Sequence, residues 1–181
     1  MAKKTITITL YKSELIYDVQ NKTYLTGRSR KDGTNHEFVA NMQANEDDEN
    51  LNQLIRSIGS AYDSMLMKMS EYIVDSSTSA NDILKDTNGS FVVTLTMPNN
   101  FNQAANTAIS SGLHQYIVNM ATAEWFTITN KADAGDYYTL ANTNLEQVRE
   151  AINKRIRPTR ASVTDEVTDA PATDTPTEGG D

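Results

Sequence analysis

The widest apolar band in the chain lies in residues 102–128, where Ala105, Ile109, Leu113, Tyr116, Ile117, Met120, Ala121, Trp125 and Ile128 recur at helical intervals. A band this wide needs neighbours on more than one side, which predicts the central helix of a bundle. Ala104, Ala108 and Gly112 add a strip of small residues where a second helix can approach closely. A second periodic stretch follows the acidic run Glu46-Asp47-Asp48-Glu49, whose charges suit the positive end of a helix. There Leu51, Ile55, Ile58, Tyr62, Met65, Met69 and Tyr72 alternate spacings of four and three, broadened by Leu54, Ala61, Leu66 and Ile73. That breadth predicts packing inside a bundle rather than a lone coiled coil. A third helix is predicted from Tyr137, Ala141, Leu145, Val148, Ile152 and Ile156, capped near Asp133 and ended by Pro158, which forces Arg157 out of helical geometry. The short link after residue 130 makes it an antiparallel partner of the central helix.

Two stretches carry strand patterns. Residues 5–11 alternate threonine with Ile6, Ile8 and Leu10, the period of a strand with one buried face. Residues 90–97, with Phe91, Val92, Val93, Leu95 and Met97, form the second, closed by Pro98. Asn88-Gly89 before it signals a hairpin with residues 82–85, beyond a loop at 75–81. So small a sheet must lay its apolar face on the helices. Between the strands, Ser13 and the apolar Leu15, Ile16 and Val19 predict a short amphipathic helix running toward Gly27. The competing reading is a hairpin of 15–19 and 23–26 turning at Asn21-Lys22. Residues 29–45 are polar, with Phe38, Val39 and Met42 as possible anchors, and read as a long loop or arm.

The fold expected is therefore α+β: one mainly helical domain over residues 1–160, with a small antiparallel sheet of two or three strands. Residues 161–181 are expected to be a disordered acidic tail, because they cannot bury enough apolar surface to offset ordering. Charge supports that division. The tail holds six acids and no Lys or Arg, and without them 18 acids face 16 bases, so a chain of net charge −8 has a body near −2. The low pI of about 4.7 therefore says little about the folded surface.

Candidate chemistry is sparse. With no cysteine there is no disulfide framework, thiolate metal site or cysteine nucleophile, and the composition fits a reducing compartment. No stretch has the apolar length of a membrane span or an export signal, so a soluble product without membrane contact is expected. The two histidines, His36 and His114, lack a partner at metal-pair spacing, and no glycine-rich phosphate loop follows a strand. No catalytic residue, cofactor or metal site is expected. Glu124, an acid on the apolar central helix, is expected to reach the rim or pair with a base on a neighbouring helix. Two groups of bases remain as candidate contacts for an acidic partner or nucleic acid: Arg28, Arg30 and Lys31 in the polar arm, and Arg155, Arg157 and Arg160 beside Arg149 and Lys154 at the end of the last helix. Cations at a helix C-terminus also simply complement its dipole, and no aromatic residues interleave with either group.

From Tyr116-Ile117-Val118 through Ala123-Glu124-Trp125-Phe126 to Asp133, Tyr137-Tyr138, Val148-Arg149 and Arg157-Pro158, the chain resembles small virion proteins of tailed phages and prophages of gut bacteria. It is most similar to neck proteins that join portal and tail. The resemblance is one of pattern, strongest over residues 91–158, with Tyr116, Trp125, Phe126 and Tyr137 as core anchors. It implies a non-catalytic subunit of a homo-oligomeric ring, made in the host cytoplasm and built into the virion by contact with portal, tail or neighbouring neck subunits. Several such connectors are nearly all-helical. The two strands and acidic tail here leave tail-terminator and other tail-associated roles open. The rival expectation is a nucleic-acid-binding accessory protein of a phage or mobile element, using the two basic groups.

Overall fold

The computed structural model describes residues 4–45, 47–74 and 89–158. Strand β1 (Lys4–Tyr11) runs directly into helix α1 (Lys12–Ser29), followed by α2 (His36–Met42), α3 (Asp48–Lys68), β2 (Ser90–Met97), α4 (Asn106–Thr129) and α5 (Lys131–Ile152). The architecture is α+β, mainly helical, with a small antiparallel sheet. Helix α4 is its axis. It packs against α5, α3, α1, α2 and β1, and it buries Ile109, Leu113, Tyr116, Ile117, Val118, Ala121, Trp125 and Phe126. Full burial of one large apolar side chain contributes about 1.5–3 kcal/mol, so this helix carries a large share of the core.

The two strands pair antiparallel in the register Lys4↔Met97 to Tyr11↔Ser90. Ile6, Ile8 and Leu10 therefore lie opposite Leu95, Val93 and Phe91 on the face that meets the helices, while Thr5, Thr7 and Thr9 lie on the other face. The hairpin expected between 82–85 and β2, and the loop at 75–81, fall outside the described residues, as does the acidic tail. At 12–29 the helical reading holds and the hairpin alternative fails: Leu15, Val19, Thr23 and Gly27 form one buried stripe at intervals of four. Ser13 is not its cap, because the chain turns from strand to helix at Lys12, whose N–H donates to Gly89 O at 3.0 Å.

The segment expected as a loop between 29 and 45 contains α2. Val39 and Met42, three residues apart, are buried, and the indole Nε1 of Trp125 donates to Met42 O at 2.9 Å. Ala44 N donates to the buried Thr23 hydroxyl at 3.1 Å. These tertiary anchors order a stretch whose composition is polar; Phe38, the third expected anchor, points outward.

Two helix boundaries also differ from expectation. Helix α3 stops at Lys68, where the Arg149 guanidinium takes the Lys68 carbonyl, and residues 72–74 join the other edge of β2 through Thr96 N→Tyr72 O (2.6 Å) and Val74 N→Thr94 O (2.9 Å). Its Met-rich end is core at Met65 and Met69 and exposed at Met67. Asn102 caps the approach to α4, its side chain accepting from Ala104 N at 3.1 Å ahead of a 3-10 turn. Helix α5 ends at Ile152, well before Pro158, and the chain then extends to bridge Phe101 through Arg155. Ile156, counted on the helix, is thus exposed, and so is Ile128 at the far end of α4.

One residue, Asn130, separates α4 from α5. Gly112 lies beside Val148 and Phe126 beside Tyr137, so the two helices run antiparallel as expected. Of the three small residues in the expected strip, Ala104, in the 3-10 turn before α4, and Ala108 are exposed, and only Gly112 serves the close approach: a Cβ there would sit 2.4 Å from Val148 Cγ2.

Candidate functional site

The first basic group is divided by the fold. Arg30 swings to α5 and pairs with the buried carboxylate of Asp133, which also accepts from Asn130 Nδ2 at 2.7 Å. Asp133 is therefore a structural anchor inside α5, not its cap. Arg28 and Lys31 stay on the opposite side of the turn. There they line a recess of about 310 Å³ with Tyr24 from α1 and His36, Val39 and Ala40 from α2. Helix α2 can lie this close because α1 has no side chain at Gly27, where a Cβ would stand 3.2 Å from Val39 O. Asp32, the acid in the same turn, is exposed and bonded within the turn. Its Oδ1 accepts from Thr34 N at 2.9 Å, Thr34 Oγ1 at 2.9 Å and Asn35 N at 3.1 Å, and the Thr34 bonds hold its carboxyl below the usual range.

The second basic group is largely engaged with protein. Arg149 donates to the Lys68 carbonyl, Lys154 pairs with Glu150 at 2.6 Å, and Arg155 Nη1 donates to Asn100 Oδ1 at 3.0 Å. Arg157 is exposed and Arg160 lies outside the described residues. The two groups do not merge: one sits where α1 meets α2, the other where α5 runs out beside residues 100–102.

Of the four expected core anchors, Tyr116, Trp125 and Phe126 are buried and Tyr137 is half-buried against the core. Tyr116 is buried, with its hydroxyl 3.0 Å from Ser64 Oγ. Phe126 meets the Tyr137 ring at a centroid distance of 5.4 Å, and the Tyr137 hydroxyl is 2.7 Å from Thr26 Oγ1. Glu124 finds a hydroxyl rather than a base: Ser60 Oγ donates to it at 3.0 Å, and partial burial pushes its carboxyl upward.

A polar seam between α1 and α4 was not anticipated. His114 Nε2 lies 2.7 Å from Asp18 Oδ2, and Lys22 Nζ donates to Gln115 Oε1 at 3.1 Å and to the buried Asn119. Desolvation lowers the Lys22 ammonium, with Asp18 opposing the shift. The four-residue spacings Asp18–Lys22 and Gln115–Asn119 were the available signal. Among the described residues no group of three or more His, Asp or Glu side chains is placed to hold a metal. Nor is any described helix long and apolar enough to cross a membrane.

The sheet presents a further feature. Among the described residues nothing pairs with the edge of β1 that faces away from β2. That edge spans eight residues, has no proline, and carries lysine only at its first position, so it lacks the devices that normally discourage strand addition. Comparison with models of protein families, with curated proteins and with solved structures finds no match to this chain.

Proposed function

We propose that the protein is a non-catalytic assembly subunit that works by contact with neighbouring protein subunits, a second copy of itself foremost among them. The observation that carries this reading is the β1 edge that no described residue pairs: a regular row of backbone donors and acceptors on a strand packed against the helices. An extended segment of a neighbour would add to it by β-augmentation, main-chain hydrogen bonds giving affinity and the alternating threonines giving register. The pattern resemblance of residues 91–158 supplies the setting, a virion neck or tail in which such subunits form rings with portal or tail proteins. A ring requires a heterologous contact, the edge of one copy against a different surface of the next; β1 against β1 about a twofold axis would instead close a dimer.

The test is the native mass of the chain beside that of a variant with Thr5→Lys and Thr7→Lys. Both threonines are exposed, so lysine spares the core while placing charge along the edge. Oligomers that the variant loses support the reading. A monomer that also fails to bind purified portal or tail subunits opposes it.

The nucleic-acid reading draws on Arg28, Lys31 and Arg157. Arg30, Arg149, Lys154 and Arg155 are held by protein groups, so the bases do not form a continuous track for a phosphate backbone. Duplex affinity falling steeply with salt would favour it over assembly.

A further inference from the structure

The recess between α1 and α2 has no part in the assembly reading and gathers three basic side chains into one concavity. Arg28, Lys31 and His36 reach it from the last turn of α1, the connecting turn and the first residue of α2. None of these three side chains has a hydrogen-bond or ion-pair partner among the described residues, in contrast to Arg30, Arg149, Lys154 and Arg155. No acid lines the recess. The one carboxylate in the adjoining turn, Asp32, is not among the lining residues, and its Oδ1 accepts from Thr34 and Asn35. Tyr24 and Gln43 also line it, and Val39 and Ala40 supply an apolar wall.

We infer that this recess binds a phosphate group, either free or carried as a monoester on a small organic molecule. Donors arriving from three directions suit a tetrahedral dianion, whose three terminal oxygens can each accept from a different side chain. A planar carboxylate offers only two oxygens. The guanidinium of Arg28 presents a fork to two phosphate oxygens, and the Lys31 ammonium contributes a compact charge. Two permanent cations balance the two negative charges of the ligand. The ring of Tyr24 beside the apolar wall gives a planar organic group a surface to rest on.

Phosphorus NMR on the full chain tests this, by titrating protein into inorganic phosphate, adenosine monophosphate and, as a proton-observed control, adenosine. The variants are Arg28→Gln/Lys31→Gln at the recess and Arg155→Gln/Arg157→Gln at the distant basic end. All four residues are exposed, and circular dichroism confirms that each variant folds. The result expected is a saturable phosphate shift with Kd of about 1 mM or tighter, weakened by about tenfold or more in the recess variant and unchanged in the distant one. Adenosine monophosphate binding more tightly than phosphate, with adenosine silent, identifies an ester ligand; equal affinities identify phosphate alone. No saturable shift, or equal weakening by both variant pairs, overturns the inference.

Discussion

Substituting alanine for glycine in two different helices tests the packing of α4 against α5 with opposite predicted signs. At an open helix position the exchange stabilises by about 0.8–1 kcal/mol, because alanine loses less backbone freedom on folding. Gly135, exposed in α5 with no atom within 4 Å of a built Cβ, meets that condition. Gly112 does not, since its Cβ would fall 2.4 Å from Val148 Cγ2. Relief requires Val148 to leave its rotamer or the helices to separate, and such overpacking costs about 1–3 kcal/mol. The net prediction for Gly112→Ala is a loss of up to about 2 kcal/mol, and for Gly135→Ala a gain of about 1 kcal/mol. In thermal melts each kcal/mol corresponds to about 2–4 °C for a domain of this size. Urea unfolding followed by the fluorescence of Trp125, the one tryptophan and 5 % exposed, reads both effects. Val148→Ala should then rescue Gly112→Ala, with a favourable coupling of about 1 kcal/mol or more in a double-mutant cycle. A Gly112→Ala protein as stabilised as Gly135→Ala would refute the close approach.

Further outcomes follow from other contacts. Trp125→Phe removes the donor to the buried Met42 carbonyl and should lower stability by about 1–3 kcal/mol, loosening α2 before the remainder, as amide exchange would register. Glu124 has its folded-state carboxyl raised by burial, so its favourable contribution is complete below the unfolded value of about 4.3 and is lost as pH rises through the folded one. Glu124→Gln should accordingly be more stable than the parent at pH 7, with the advantage vanishing below about pH 4; a pH-independent difference would contradict this. Arg149→Ala, which frees the Lys68 carbonyl at the end of α3, should cost about 1.5–3 kcal/mol, whereas exposed Arg157→Ala should stay within about 0.5 kcal/mol in the same urea titration.

Periodicity located the elements with strong repeats well. The threonine–isoleucine alternation at 5–11, the broad band of α4 and the antiparallel α4–α5 pair all stand where the apolar spacing puts them. Tertiary contacts decided the rest. Helix α2 has only Val39 and Met42 as buried apolar positions, and the partners that order it, Trp125 and Thr23, lie far away in sequence. Tyr72 continues the seven-residue spacing of α3, yet the helix has already ended and the chain joins β2, because a strand edge competes for the same backbone groups. Charge runs were the least informative signal. Arg28, Arg30 and Lys31 are near neighbours in sequence, but the turn sends Arg30 to Asp133 and leaves the other two with His36, which in sequence looked solitary.

Assembly through the open edge of β1 is the central claim, and native mass spectrometry of the purified chain over a range of concentrations tests it most directly. The account predicts species at multiples of 20.1 kDa that the Thr5→Lys/Thr7→Lys variant returns to a single 20.1 kDa monomer. Oligomers that persist unchanged in that variant, or a parent that stays at 20.1 kDa at every concentration and with purified portal or tail subunits present, would contradict it.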